Sequence, residues 1–118
     1  LNYGHTVGHA IEKVSGYGTY LHGEAVAIGM MVAAGIAEKL GMIDTELVDR
    51  QRRVLESYDL PVRAPRLDVD ELIDATESDK KSHGGTIRWV LLEGPGKATT
   101  RRDVPDDIVR EAILSVLD

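Results

Sequence analysis

The sequence predicts a mainly α fold, a helical domain with one small β-hairpin, on three observations. Apolar residues recur at three- and four-residue steps in most segments, the period of a helix with one buried stripe. Residues 23–40 are apolar almost all round, as a helix at the centre of a domain is. Only one run, Ile87 to Leu92, is rich in β-formers, and a Gly94-Pro95-Gly96 turn follows it. With 118 residues the chain has the length of one ordinary domain, enough to enclose a core.

Each element has its own signal. Val7, Ala10, Ile11 and Val14 form the stripe of a first helix, predicted over Asn2 to Ser15. Gly16-Tyr17-Gly18-Thr19-Tyr20 then breaks the pattern and makes a loop that carries the chain to Leu21-His22. The second helix is predicted over Gly23 to Leu40, its small residues suited to close packing, with Gly41 where a left-handed C-cap belongs. Asp44 offers an N-cap and Glu46 a favourable charge in the first turn of a third helix, from about Thr45 to Tyr58. Leu60-Pro61 stops it. Pro65 and Arg66 extend an irregular link, and Asp68 caps a short helix over Val69 to Glu77, so Lys80 and Lys81 are expected just past its end. Gly84-Gly85 opens a loop. Ile87, Trp89 and Leu91 then alternate with Arg88, Val90 and Leu92 in a strand, and Ala98 to Arg101 pairs back as the second. Pro105 begins the last helix, where Ile108, Val109, Ala112, Ile113, Val116 and Leu117 make the stripe behind Asp106 and Asp107.

Composition narrows the function. Fourteen basic against twenty acidic residues leave a net charge of −6, a poor balance for binding a phosphate backbone, so no nucleic-acid partner is expected. The longest apolar stretch, Ala25 to Ala37, contains Gly29 and Gly35 and falls short of the roughly 20 residues of a membrane span, so a soluble protein is expected. Without cysteine there is no disulfide and no thiolate ligand; any metal must be held by His, Asp or Glu, and a reducing cytoplasm suits the composition. The opening Leu1-Asn2-Tyr3-Gly4-His5 has neither an initiator Met nor a signal-like run and reads as a piece of a longer protein.

Three of the four histidines lie in the first 22 residues. His5 and His9 are four apart and share one face of the first helix, and a return through the glycine loop brings His22 beside them. Imidazole is the commonest neutral ligand for zinc-like ions, and catalytic sites take about three protein ligands and keep one position open. A protease reading fails, because Thr6 stands where a Glu would follow the first His. Glu12 and Glu24 are candidates to orient the rings as acceptors. Against the plainer reading of surface histidines, glycines at 4, 8 and 23 adjoin all three and would leave a ligand room to approach. His83 lacks such company and reads as a loop histidine. Lys80 and Lys81, taken alone, read as a solvated pair rather than an anion clamp. Gly16 and Gly18 lack the spacing and the strand–helix setting of a dinucleotide loop. Met30 and Met31 belong to the core.

The blocks Asn2-Tyr3-Gly4-His5-Thr6-Val7-Gly8-His9-Ala10-Ile11-Glu12 and Leu21-His22-Gly23-Glu24-Ala25-Val26-Ala27-Ile28-Gly29-Met30 closely resemble 3-dehydroquinate synthase of the shikimate pathway. Asp79-Lys80-Lys81, Gly85 and Arg88-Trp89-Val90-Leu91-Leu92 continue the match in the family's order over nearly the whole chain. The resemblance implies the C-terminal helical domain of an enzyme whose N-terminal domain binds NAD. It implies His5 and His22 as ligands of a divalent metal, Zn2+ or Co2+, with a Glu upstream of this chain as the third. It implies Asn2 and His9 as contacts to the substrate's phosphate region, His9 also in proton transfer and therefore catalytic, and a Lys of the pair Lys80 and Lys81 as a contact to substrate anion. The family converts 3-deoxy-D-arabino-heptulosonate 7-phosphate to 3-dehydroquinate and phosphate, and the resemblance implies a cytoplasmic homodimer of the whole enzyme acting on a small sugar phosphate. Related cyclases acting on sedoheptulose 7-phosphate usually differ at the positions of Asn2 and His9, and iron-dependent alcohol and glycerol dehydrogenases lack the Asp79-Lys80-Lys81 block. The remaining alternative is a helical module without catalysis of its own.

Overall fold

The computed structural model describes residues 3–16, 18–82 and 84–117, with the backbone alone for 79–82. Its elements are α1 (His5–Ser15), α2 (His22–Lys39), α3 (Thr45–Ser57), α4 (Val69–Ser82), β1 (Trp89–Gly94), β2 (Lys97–Arg101) and α5 (Asp106–Leu114). The mainly α fold with one hairpin is the one the hydrophobic periods predict.

α2 is the axis of the molecule, packing against α1, α3, α5 and β1. That is why it is apolar on nearly every side: Ala25, Ile28, Val32, Ala34, Ile36 and Ala37 are all fully buried. Val7 and Ile11 of α1, Leu72 of α4, Leu91 of β1 and Ile113 of α5 close the core around it. Its C-terminus stops at Gly41, whose φ of +76° is a conformation glycine adopts without strain. The Asp44 carboxylate then accepts from the Leu47 amide at 2.9 Å and starts α3.

The two strands pair antiparallel, Trp89 opposite Arg101 and Leu91 opposite Thr99, with an irregularity between Leu92 and Gly94. Trp89 and Leu91 point inward and are buried. Pro95 and Gly96 form the two-residue tip, the glycine at φ +70°. Among the described residues no helix is long and apolar enough to cross a membrane.

Several boundaries differ from expectation, some by a single residue. α1 starts at His5, because Gly4 takes φ +80° and cannot be helical. α4 continues to Ser82, five residues past Glu77, so Lys80 and Lys81 lie within its last turn. Residues 78–82 carry no apolar stripe, yet nothing there breaks a helix until Gly84 and Gly85, at φ +81° and +83°. β1 begins at Trp89, with Ile87 and Arg88 ahead of it. Pro105 caps α5 instead of opening it, and Val116 and Leu117 lie beyond its end.

Candidate metal centre

The site begins with how closely two helices approach. A Cβ on Gly29 would stand 2.0 Å from the Gly4 carbonyl oxygen and 2.8 Å from the Gly8 nitrogen. One on Gly8 would meet the Val26 Cα at 3.2 Å, and one on Gly4 the Met30 Cγ at 2.6 Å. α1 therefore lies directly on the backbone of α2, and the room at Gly4 and Gly8 is filled by that helix and not by a ligand, contrary to the sequence expectation. Gly23 alone of the three faces open space. Contacts of 4 with 30 and 8 with 26 are those of an antiparallel pair, and the same register carries His22 to Glu12.

The three imidazoles gather as the spacing predicted. Ring centres are 5.5 Å apart for His5 and His9, 5.4 Å for His5 and His22, and 6.1 Å for His9 and His22. Two imidazoles on one tetrahedral ion, each bonded at about 2.0–2.1 Å, have centres about 5 Å apart, so the cluster has the dimensions of a metal-binding set. His5 is half-buried; His9 and His22 are exposed.

Hydrogen bonds distinguish the rings. His5 Nδ1 lies 3.2 Å from the Tyr3 carbonyl oxygen, and His22 Nδ1 lies 3.3 Å from both oxygens of Glu12. A carbonyl and a carboxylate only accept, so each Nδ1 carries a proton, and in the neutral ring the lone pair is left on Nε2. Metal-bound histidines characteristically hold their second ring nitrogen this way. The His9 ring has no hydrogen-bond partner among the described residues.

Tyr3 itself is fastened from α3. Its hydroxyl donates to Gln51 Oε1 at 2.7 Å and lies 3.1 Å from the Met30 carbonyl, to which Gln51 Nε2 also donates at 3.0 Å. Burial pushes the Tyr3 phenol up to about 12, the Gln51 contact pulling slightly the other way. Sequence reasoning found neither residue as a support. Gln51 carries no local signal, because its partners are 21 and 48 positions away.

The two acidic candidates separate. Glu24 accepts from the Leu21 amide at 2.8 Å and caps α2, which occupies it away from the rings. Glu12 faces His22, and donor atoms of His9, Glu12 and His22 all lie within 4.8 Å of one another. That tighter set holds Glu12 in place of His5. The Glu12 oxygens in that set are already engaged by His22 Nδ1, so the Nδ1 contacts distinguish the rings better than the set does. Asn2 and His83 lie outside the described residues, as do the side chains of Lys80 and Lys81. A cavity of about 470 Å³ between α4, β1 and α5, lined by Ile73, Thr76, Trp89, Val104 and Arg110, contains none of the three histidines. Glu77, Asp106 and Asp107 also line it, but among the described residues the only group of donor atoms close enough to share an ion is the one with His9, Glu12 and His22, so chemistry and not concavity marks the site.

Residues 1–82 match the family model described as 3-dehydroquinate synthase C-terminal. The 3-dehydroquinate synthase of Nitrosospira multiformis is 49% identical over 113 residues, 96% of this chain and 31% of that protein. That of Acinetobacter baumannii is 43% identical over 98% of this chain and 32% of its own length, and that of a Synechococcus species 45% identical over 100% and 31%. The chain thus spans about a third of the curated relatives it matches. Among solved structures, a 2-epi-5-epi-valiolone synthase from Streptomyces hygroscopicus with NAD+ and Zn2+ bound superposes with a TM-score of 0.87 at 27% identity, covering 98% of this chain and 32% of that one. A 2-deoxy-scyllo-inosose synthase complexed with carbaglucose-6-phosphate, NAD+ and Co2+ gives 0.80 at 29%, covering 98% and 34%.

Proposed function

The chain belongs to the 3-dehydroquinate synthase C-terminal family, and from that premise we propose that it is the helical metal- and substrate-binding part of a 3-dehydroquinate synthase. The complete enzyme would convert 3-deoxy-D-arabino-heptulosonate 7-phosphate to 3-dehydroquinate and phosphate, a carbon–oxygen lyase reaction in aromatic amino acid biosynthesis. It would act as a cytoplasmic homodimer, with NAD held mainly by an N-terminal domain outside this chain.

The observation that carries the reading is the pair of anchored rings. The His5 and His22 rings have centres 5.4 Å apart, each with Nδ1 against an acceptor, and so suit a divalent ion, Zn2+ or Co2+. A Glu from outside the chain completes the set. When bound, the ion supplies Lewis-acid polarisation of a substrate hydroxyl and NAD supplies the hydride acceptor. The chain's own task is placement. His9, exposed and with no hydrogen-bond partner for its ring among the described residues, contacts the substrate's phosphate region and accepts or returns a proton at a ring nitrogen. Asn2 contacts the same region, and a Lys of the pair Lys80 and Lys81 binds an anionic group as a point charge. Identities of 43–49% to dehydroquinate synthases, against 27–29% to the other cyclases, favour this substrate within the superfamily.

The test is phosphate release from the heptulosonate phosphate with NAD and Zn2+ or Co2+, for this chain alone and for the chain joined to its NAD-binding part. Activity confined to the longer protein is expected. A folded, metal-loaded longer protein that leaves this substrate untouched would point instead to a related cyclase or an iron-type dehydrogenase.

A further inference from the structure

We propose that Glu12 is a positioning residue that acts through His22, fixing which ring nitrogen carries the proton and how the ring is turned. The proposal rests on the reading of His22 as a metal ligand and goes beyond it.

Two carboxylates flank His22 in sequence, and only one reaches its ring. Glu24 is occupied by the Leu21 amide at 2.8 Å. Glu12 places both oxygens 3.3 Å from His22 Nδ1, so either accepts the same proton. Its side chain is 16% exposed against 59% for His22, which makes the carboxylate the sheltered, fixed partner and the imidazole the one held. Glu12 is itself fixed by its helix. α1 is locked to α2 through Gly4, Gly8 and Gly29, and that register sets Glu12 opposite the first residue of α2. The His22 ring has no other hydrogen-bond partner among the described residues.

A free neutral imidazole places its proton preferentially on Nε2, the nitrogen needed as donor. The carboxylate reverses that preference by accepting from Nδ1, which leaves Nε2 as the donor. Loss of such an acceptor typically lowers metal affinity about 10–100-fold. Glu12 as a direct ligand is the competing role, since its oxygens lie within 4.8 Å of donor atoms of His9 and His22. A direct ligand and a positioning residue differ before any ion is added, because only the second sets the His22 tautomer.

The experiment uses Glu12→Ala and Glu12→Gln, the latter keeping an oxygen acceptor of the same reach. Ring nitrogen shifts of histidine-labelled, metal-free chain, at a pH where the ring is neutral, report the tautomer. Zn2+ affinity of the longer protein is read by chelator competition. The expected result is an Nδ1–H His22 in the unaltered chain and in Glu12→Gln, a shift toward Nε2–H in Glu12→Ala, and a 10–100-fold affinity loss in Glu12→Ala that Glu12→Gln largely restores. Equal affinity loss in both variants with an unchanged tautomer would make Glu12 a ligand and overturn the positioning role. An unaltered protein that shows the Nδ1–H form yet takes up no metal would overturn the metal reading itself, and this role with it.

Discussion

Replacing His22 by alanine removes a ring whose Nδ1 is committed to Glu12, whereas replacing His9 removes one with no hydrogen-bond partner among the described residues. The two variants should therefore separate binding from turnover. His22→Ala is expected to abolish tight metal binding and activity together; His9→Ala should keep nearly full metal content while slowing the reaction by about 10²–10⁴-fold, the usual size of a lost acid–base group. Metal analysis beside turnover of the longer protein decides it, and equal metal loss in both would end the division of roles. Spacing alone made these histidines equivalent. The i, i+4 pair and the loop return were enough to gather three rings, but the roles came from the family resemblance and are supported by hydrogen bonds no sequence pattern encodes. Glu12 and Glu24 were likewise indistinguishable in sequence, each a few residues from a His, until one proved to be a helix cap.

Between elements, the decisive contact is the glycine seam of α1 and α2. Gly29→Ala would force a Cβ to within 2.0 Å of the Gly4 carbonyl, so the helices must part. The expected cost is about 1–3 kcal/mol or more, as for an overpacked core, accompanied by weaker metal binding as the rings spread. Gly23→Ala meets nothing within 4 Å and should be neutral or stabilising by up to about 1 kcal/mol, the ordinary helix preference for alanine. Thermal melting of the two variants is the check, and equal melting points would mean the seam carries no load. The periodicities found all five helices and the hairpin. They missed the end of α4 because a polar helix terminus has no stripe to follow, and they misread Gly4 and Gly8 because small residues four apart signal close packing as readily as ligand access.

For the whole molecule, α2 is what makes the pieces one body. It buries most of its surface against α1, α3, α5 and β1, and the Cα radius of gyration of 13.0 Å is the value for a compact chain of about this length. Its all-round apolar character was visible in the sequence; which helix would take which side was not, since an all-apolar face has no direction. The tie from Gln51 on α3 to Tyr3 and so to His5 depends on that arrangement, which is why the site's support was less legible than its histidines.

The antiparallel α1–α2 hairpin also has a kinetic meaning. His5, His9, Glu12 and His22 all belong to this one local unit, joined by the short connection from Gly16 to Leu21, so bringing them together requires closing only a small loop. Local pairings form faster than those between distant segments, and α5 must find α2 from the far end of the chain. Pulse-labelled hydrogen exchange during refolding should show amides of α1 and α2 protected before those of α5; the reverse order would contradict it. A nascent chain would then present its imidazoles as a formed cluster while the rest of the fold is still being assembled, and an ion captured at that stage would template the later docking steps.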